Sequence, residues 1–186
     1  GVGAGWNQPE FDAFGIPFDQ RGSRFEEAFT ILWTLCSGER CTFAGIFNNV
    51  NDAVLLPPPH RPIPIMIGST GERVLRAALP HVQWWNTWFD WFGNSAEGFA
   101  KQNAHISDIA SEVGRDPATL KRSACLLVVT DASAGERPVP DKYTAATLRD
   151  VRQRVLEMRD AGADEVILVS DPINERSVLA LAQALQ

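Results

Sequence analysis

The sequence contains no run of eighteen or more apolar residues, so nothing in it reads as a membrane-spanning helix. It contains no cluster of Lys or Arg. With 17 basic against 23 acidic side chains, the formal net charge of −6 argues against a nucleic-acid surface. Cysteine is scarce: Cys36, Cys41 and Cys125 are odd in number and form no Cys-x-x-Cys. They give no sign of a disulfide framework, and a reduced, cytoplasmic setting is expected. Histidine is scarce too. His60, His81 and His105 are scattered, with no His-Glu-x-x-His and no Cys/His cluster, so no metal site is expected. No Gly-Lys-Ser/Thr follows a glycine turn, which excludes a P-loop, and no Gly-x-Ser-x-Gly nucleophile elbow occurs.

What is present is an ordinary globular composition, 45% apolar and 22% charged, over 186 residues. That is enough for one domain, taken as 1–186, with a sizeable core. Short apolar runs alternate with amphipathic stretches. Residues 1–5, 63–68, 82–88, 123–130 and 164–170 read as strands. Helices are predicted over 22–39, 69–80, 95–116, 141–161 and 174–185. Ser95 is a candidate N-cap, and Gly38, Gly114 and Gly162 are candidate stops. A short hairpin is expected around Gly45. Continuous apolar strands separated by amphipathic helices indicate an α/β fold with a parallel sheet covered by helices.

Two glycine turns carry the chemical interest. "GVGAGW" at the start resembles a dinucleotide fingerprint, but Trp6 stands where the last glycine belongs, and about 20 residues on lies a helix rather than a strand ending in an acidic residue. A plain structural turn is the stronger reading of those residues alone. "IMIGSTGERVLRAA" runs from a strand through Gly68, Ser69, Thr70 and Gly71 directly into a helix. Small residues, two hydroxyls and a helix start suit a phosphate, with Arg73 and Arg76 as possible counter-charges. A tight turn capped by Ser69 or Thr70 fits the same residues, and both readings stay open. Of the dense tryptophans, Trp85 reads as core, while Trp84 is core or the wall of a flat ligand. Glu10 reads as a solvated or capping carboxylate before a catalytic one.

Taken in order, "GVGAGW", "RFEEA", "PIPIMIGSTGERVL", "WN", "GRDP" and "AGADEVILVS" resemble the luciferase-like monooxygenase family, in particular its deazaflavin branch, which uses coenzyme F420. The resemblance implies a (β/α)8 TIM barrel, incomplete here, with about strands four to eight present and the chain corresponding to the C-terminal part of a larger protein. Barrels of this kind usually need about 250 residues, which agrees. It implies hydride transfer between coenzyme F420, or alternatively FMN, and a small organic substrate. By position, Gly3, Gly5 and Trp6 would lie at the mouth, Gly68, Ser69, Thr70 and Gly71 would hold the cofactor's phosphate, and Asn86 would end the next strand. Glu10, His60 and Trp6 are the nearest candidates for the substrate side. Trp84 stands where the family commonly has glycine, so a large ring is expected where space would be. A second possibility is a non-catalytic remnant that binds a flavin-like or phosphate ligand or serves as a partner subunit. Open sheet edges in either case predict pairing with another copy.

Overall fold

A computed structural model describes residues 1–137 and 144–186. In chain order the elements are α1 (Gln8–Ala13), α2 (Arg21–Cys36), β1 (Cys41–Ala44), β2 (Asn49–Ala53), β3 (Met66–Gly68), α3 (Glu72–Ala78), β4 (Trp84–Thr87), α4 (Ala96–Glu112), β5 (Lys121–Val129), β6 (Ala146–Thr147), α5 (Val151–Asp160), β7 (Glu165–Asp171) and α6 (Glu175–Ala184). Short 3-10 turns lie at Phe89–Phe92 and Pro117–Thr119.

Val2, β3, β4, β5 and β7 lie side by side, parallel, in the order in which they occur in the chain. β4 pairs with Lys121–Ala124 of β5, and β7 pairs with Ser123–Val129. β6 meets Val128 and Val129, so it occupies the edge that β4 leaves free. The helices follow the same sequence: α2 packs on α3, α3 on α4, α4 on α5 and α5 on α6. A strand order that never reverses, with each helix laid against the next, is the wall of a (β/α) barrel. A doubly wound sheet reverses at a switch point, so the dinucleotide-binding alternative fails on topology. Among the described residues Val2 and β7, the two ends of the series, do not pair, so the barrel is incomplete.

The core sits between sheet and helices. Ile67, Trp85, Leu75, Phe99 and Ile106 form its centre, and Leu126, Val128, Val151 and Leu181 form a second cluster under α5 and α6. Ser95 caps α4 by accepting the Gly98 N–H at 3.1 Å, as the sequence predicts. The β1–β2 hairpin forms where expected. Its tip is held by Glu27 of α2, which takes the N–H groups of Ile46, Phe47 and Asn48.

Four elements differ from the sequence reading. Of the strand expected over 1–5, only Val2 pairs, as an isolated bridge to Ile67. The strand expected over 63–68 is regular only from Met66, because Pro62 and Pro64 have no N–H to donate. α1 was not expected at all. The helix expected over 141–161 begins only at Val151. Before it, Ala146 and Thr147 pair with β5, and Asp150 Oδ1 binds the Thr147 N–H and hydroxyl, closing a turn that the apolar spacing does not reveal. Positions 141–143 of that expected helix lie outside the described residues.

Candidate functional site

The two glycine turns meet at one end of the sheet. Val2 N–H donates to Met66 O at 2.8 Å, and Gly68 N–H donates to Val2 O at 3.0 Å. These bonds place Gly3 directly against the Gly-Ser-Thr-Gly corner. A Cβ on Gly3 would stand 3.1 Å from the Gly68 carbonyl oxygen, a tight contact that would push on the corner. Gly5 has φ +77°, a left-handed conformation that glycine adopts readily, and its missing Cβ leaves room for the Phe11 ring.

A cavity of about 360 Å³ opens between three segments. The first is Ala4, Gly5 and Trp6. The second is Arg21 and Gly22, at the start of α2. The third is the corner Gly68–Gly71, with Val74 of α3 and Trp91 completing the wall. Such a volume lies at the lower end of small-molecule sites. Neither α2 nor α3 has a side chain capping its first turn. α1 and α5 lack one as well, so the missing cap alone marks nothing; the shared cavity is what sets α2 and α3 apart.

The corner is held from below. Trp85 on β4 is fully buried, stacks on Phe99 of α4, and donates its indole N–H to Ser69 O at 2.9 Å. The Ser69 hydroxyl accepts the Gly71 N–H at 3.1 Å. Trp85 is therefore core, as expected, and also a strut that fixes the Ser69 peptide. Trp84, on the opposite face of β4, is half-buried and does not line the cavity, so its ring does not fill that space.

Charge at the cavity comes from a residue that the sequence reading did not single out. Arg73 is tied to Glu26 of α2 through two hydrogen bonds of 2.8 and 2.6 Å, and Arg76 is tied to Glu112 at 2.6 Å. The Arg73 hydrogen bond holds the Glu26 carboxyl below its ordinary value, so the pair stays ionised at neutral pH. Neither arginine lines the cavity. Arg21 does. Its guanidinium lies 3.8 Å over the Phe18 ring, and one nitrogen donates to Phe18 O at 3.2 Å, which leaves other donors for a ligand. The helix predicted over 22–39 starts one residue too late to include it, and only the neighbouring Gly22 marks the spot in the sequence.

The remaining candidates lie elsewhere. Glu10 is exposed on α1, and its carboxylate accepts the Asn7 amide at 2.8 Å. His60 is exposed in the proline-rich segment. Neither lines the cavity. Asn86 is level with Gly68 in the sheet, yet its amide points along the next strand, donating to Ser123 Oγ at 3.0 Å. Ser123 in turn donates to Glu165 at 2.7 Å, and Cys125 lies 3.9 Å from Asn86 Oδ1. Burial pushes the Cys125 thiol up, the direction that makes it unreactive. No group of three or more His, Cys, Asp or Glu suited to a metal ion occurs among the described residues. No helix among them is long and apolar enough to cross a membrane.

Comparison with known proteins sets this geometry in context. An uncharacterised protein of Mycobacterium tuberculosis is 27% identical over 115 residues, 62% of this chain and 38% of that one. An F420-dependent hydroxymycolic acid dehydrogenase of the same organism is 29% identical over 140 residues, 70% of this chain and 35% of the relative. The chain thus spans well under half the length of these curated relatives. Among solved structures, the coenzyme F420 dependent tetrahydromethanopterin reductase of Methanopyrus kandleri superposes with a TM-score of 0.73 at 15% identity, covering 99% of this chain and 71% of that one. A riboflavin lyase with modified FMN superposes with a TM-score of 0.71 at 13% identity, covering 94% and 59%. Residues 1–137, which carry both glycine turns and the whole cavity, match the luciferase-like monooxygenase family, and the chain belongs to that family.

Proposed function

We propose that this chain is the anion-anchoring portion of an oxidoreductase that moves a hydride between coenzyme F420, or alternatively FMN, and a small organic substrate in the cytoplasm. The observation that supports it is the meeting of the two glycine turns and Arg21 around one cavity. The donor set suits a phosphate. Arg21 offers charge-assisted hydrogen bonds, Ser69 and Thr70 offer hydroxyls, and the uncapped starts of α2 and α3 offer main-chain N–H groups. Gly3 lets the first turn lie against the Gly68 carbonyl, and Gly5 makes room for the Phe11 ring, so the two turns close up beside the cavity. The deazaflavin or flavin, when bound, supplies the hydride chemistry itself. What this chain contributes is attachment and orientation: Arg21 neutralises the anionic end, and Trp85 keeps the Ser69 peptide in place. F420-dependent and flavin-containing proteins both occur among its relatives and structural neighbours, so both cofactors enter the test. Among the described residues β7 pairs only with β5, and its other edge fits a further partner, a second copy of the chain.

The test is a fluorescence titration of the chain with coenzyme F420 and with FMN. A saturable change in ligand emission with one of them is expected, abolished by inorganic phosphate in excess. No response to either removes the reading.

A further inference from the structure

At the start of β5, away from the cavity, an arginine is buried where a covered strand would ordinarily carry an apolar residue. Arg122 is 5% exposed, and its side chain reaches α4, where Nη2 donates to Ser107 Oγ at 3.0 Å. Ser107 Oγ donates in turn to Asn103 O, one helical turn earlier, at 2.9 Å. The other guanidinium nitrogen, Nη1, is buried and has no partner among the described residues, and the same is true of Asn103 Oδ1. We propose that one internal water molecule is bound in this seam between α4 and β5, accepting a hydrogen bond from Arg122 Nη1 and donating one to Asn103 Oδ1.

Two observations carry it. First, the two open atoms are opposite in kind. Asn103 Nδ2 donates to Ala161 O at 3.3 Å, which fixes the amide orientation and makes Oδ1 the free acceptor. Gly162 holds that amide from the other side, since a Cβ there would stand 2.6 Å from Nδ2. Arg122 Nη1 can only donate. A bare anion would suit the arginine but face the Asn103 oxygen, and a cation would suit the oxygen but face the arginine. Water accepts from one and donates to the other, as buried waters do where polar groups lack protein partners. Second, the charge on Arg122 has no carboxylate to meet it directly. Asp164, which acts on it through space, spends its oxygens on Lys121 Nζ and on the Arg122 main-chain N–H, each at 2.8 Å. Burial pushes the guanidinium down to about 10, so it stays charged at neutral pH. A charged donor left bare in the interior costs more than ordering one water to serve it.

The experiment counts long-lived internal waters in solution by oxygen-17 relaxation dispersion on the intact chain. The unaltered protein is compared with the double variant Arg122→Met, Asn103→Leu, which removes donor and acceptor together. The dispersion amplitude is expected to fall by the contribution of one water, and equal amplitudes would overturn the site. Asn103→Leu alone strands the guanidinium nitrogen, so its unfolding equilibrium constant in urea should rise about tenfold. Unchanged stability there would overturn the bridge. A crystal structure of the unaltered chain gives an answer that needs no variant to fold. Density for a water within hydrogen-bond distance of both Arg122 Nη1 and Asn103 Oδ1 is expected. A direct bond between those two atoms, or an Arg122 side chain turned out to solvent, would contradict the proposal.

Discussion

β5 runs for nine residues and is buried along seven of them, whereas β3 runs for three and opens into four small residues around a cavity. The β5–β7 side is closed by apolar contact on the helix side and by buried polar groups tied to the strands. Asn94 shows the style. It is buried, in a left-handed conformation that asparagine tolerates, and its amide spans Leu127 N, Leu127 O and Thr144 O. Arg154 donates to its carbonyl. The β3 corner is built the other way. Its glycines remove side chains, its helix starts lack caps, and its tryptophans stand open. Stability sits in one region and unspent binding capacity in the other. The division resembles that between the two faces of a barrel, with loops at strand ends free to serve a ligand.

The comparison breaks or sharpens under four changes. The largest effect is expected from Asn94→Ala, which strips partners from buried main-chain groups of β5. Urea unfolding should show a loss of about 3 kcal/mol, while FMN affinity in the fraction that stays folded is unchanged. Arg21→Ala should invert that result. FMN binding should weaken about ten- to hundredfold, with the melting temperature nearly constant, because one charge-assisted contact to the ligand is lost and no core contact is.

Third comes pH. Burial pushes the Asp164 carboxyl up, but hydrogen bonds from Lys121 and from the Arg122 N–H together hold it below its ordinary value of 3.8. A carboxyl depressed in the folded state adds stability that is fully present above the unfolded value and is lost as pH falls through the folded one. Asp164→Asn should therefore flatten the acid limb of the stability curve below pH 3.8 and leave the limb near neutrality shifted only by a constant. The smallest effect is expected from Arg73→Ala. The pair with Glu26 is exposed, so melting and FMN affinity should both stay nearly where they were. A large affinity loss there would return Arg73 to the site.

Much of the β5–β7 side was legible in the sequence because its cause is local. Within "SACLLVVT", residues 124–129 are apolar without a break, the pattern of a strand buried on both faces. The Ser95 cap and the glycine stops are local signals of the same kind. The corner was half legible. Gly68–Gly71 stood out as a strand-to-helix turn, and the opening glycines as a turn without a partner. That they touch is a property of the Val2 and β3 pairing, which no spacing records. Arg21 escaped notice because a lone arginine carries no motif, and Arg73 drew attention because its partner, Glu26, lies 47 residues earlier in the chain. Trp91 depends on a 3-10 turn whose anchors, Phe89 and Phe92, read simply as more aromatic residues. The late start of α5 was hidden because Leu148, Val151 and Val155 keep a helical spacing across a turn closed by Asp150.

The most direct measurement follows the backbone amides by nitrogen-edited NMR while FMN is added to the chain. The account predicts that Gly3, Gly5, Gly22, Gly68, Ser69 and Gly71 shift together and saturate at one concentration, with the β5–β7 amides unmoved. Shifts confined to one of the two glycine turns, or centred on α5 and α6, would contradict it.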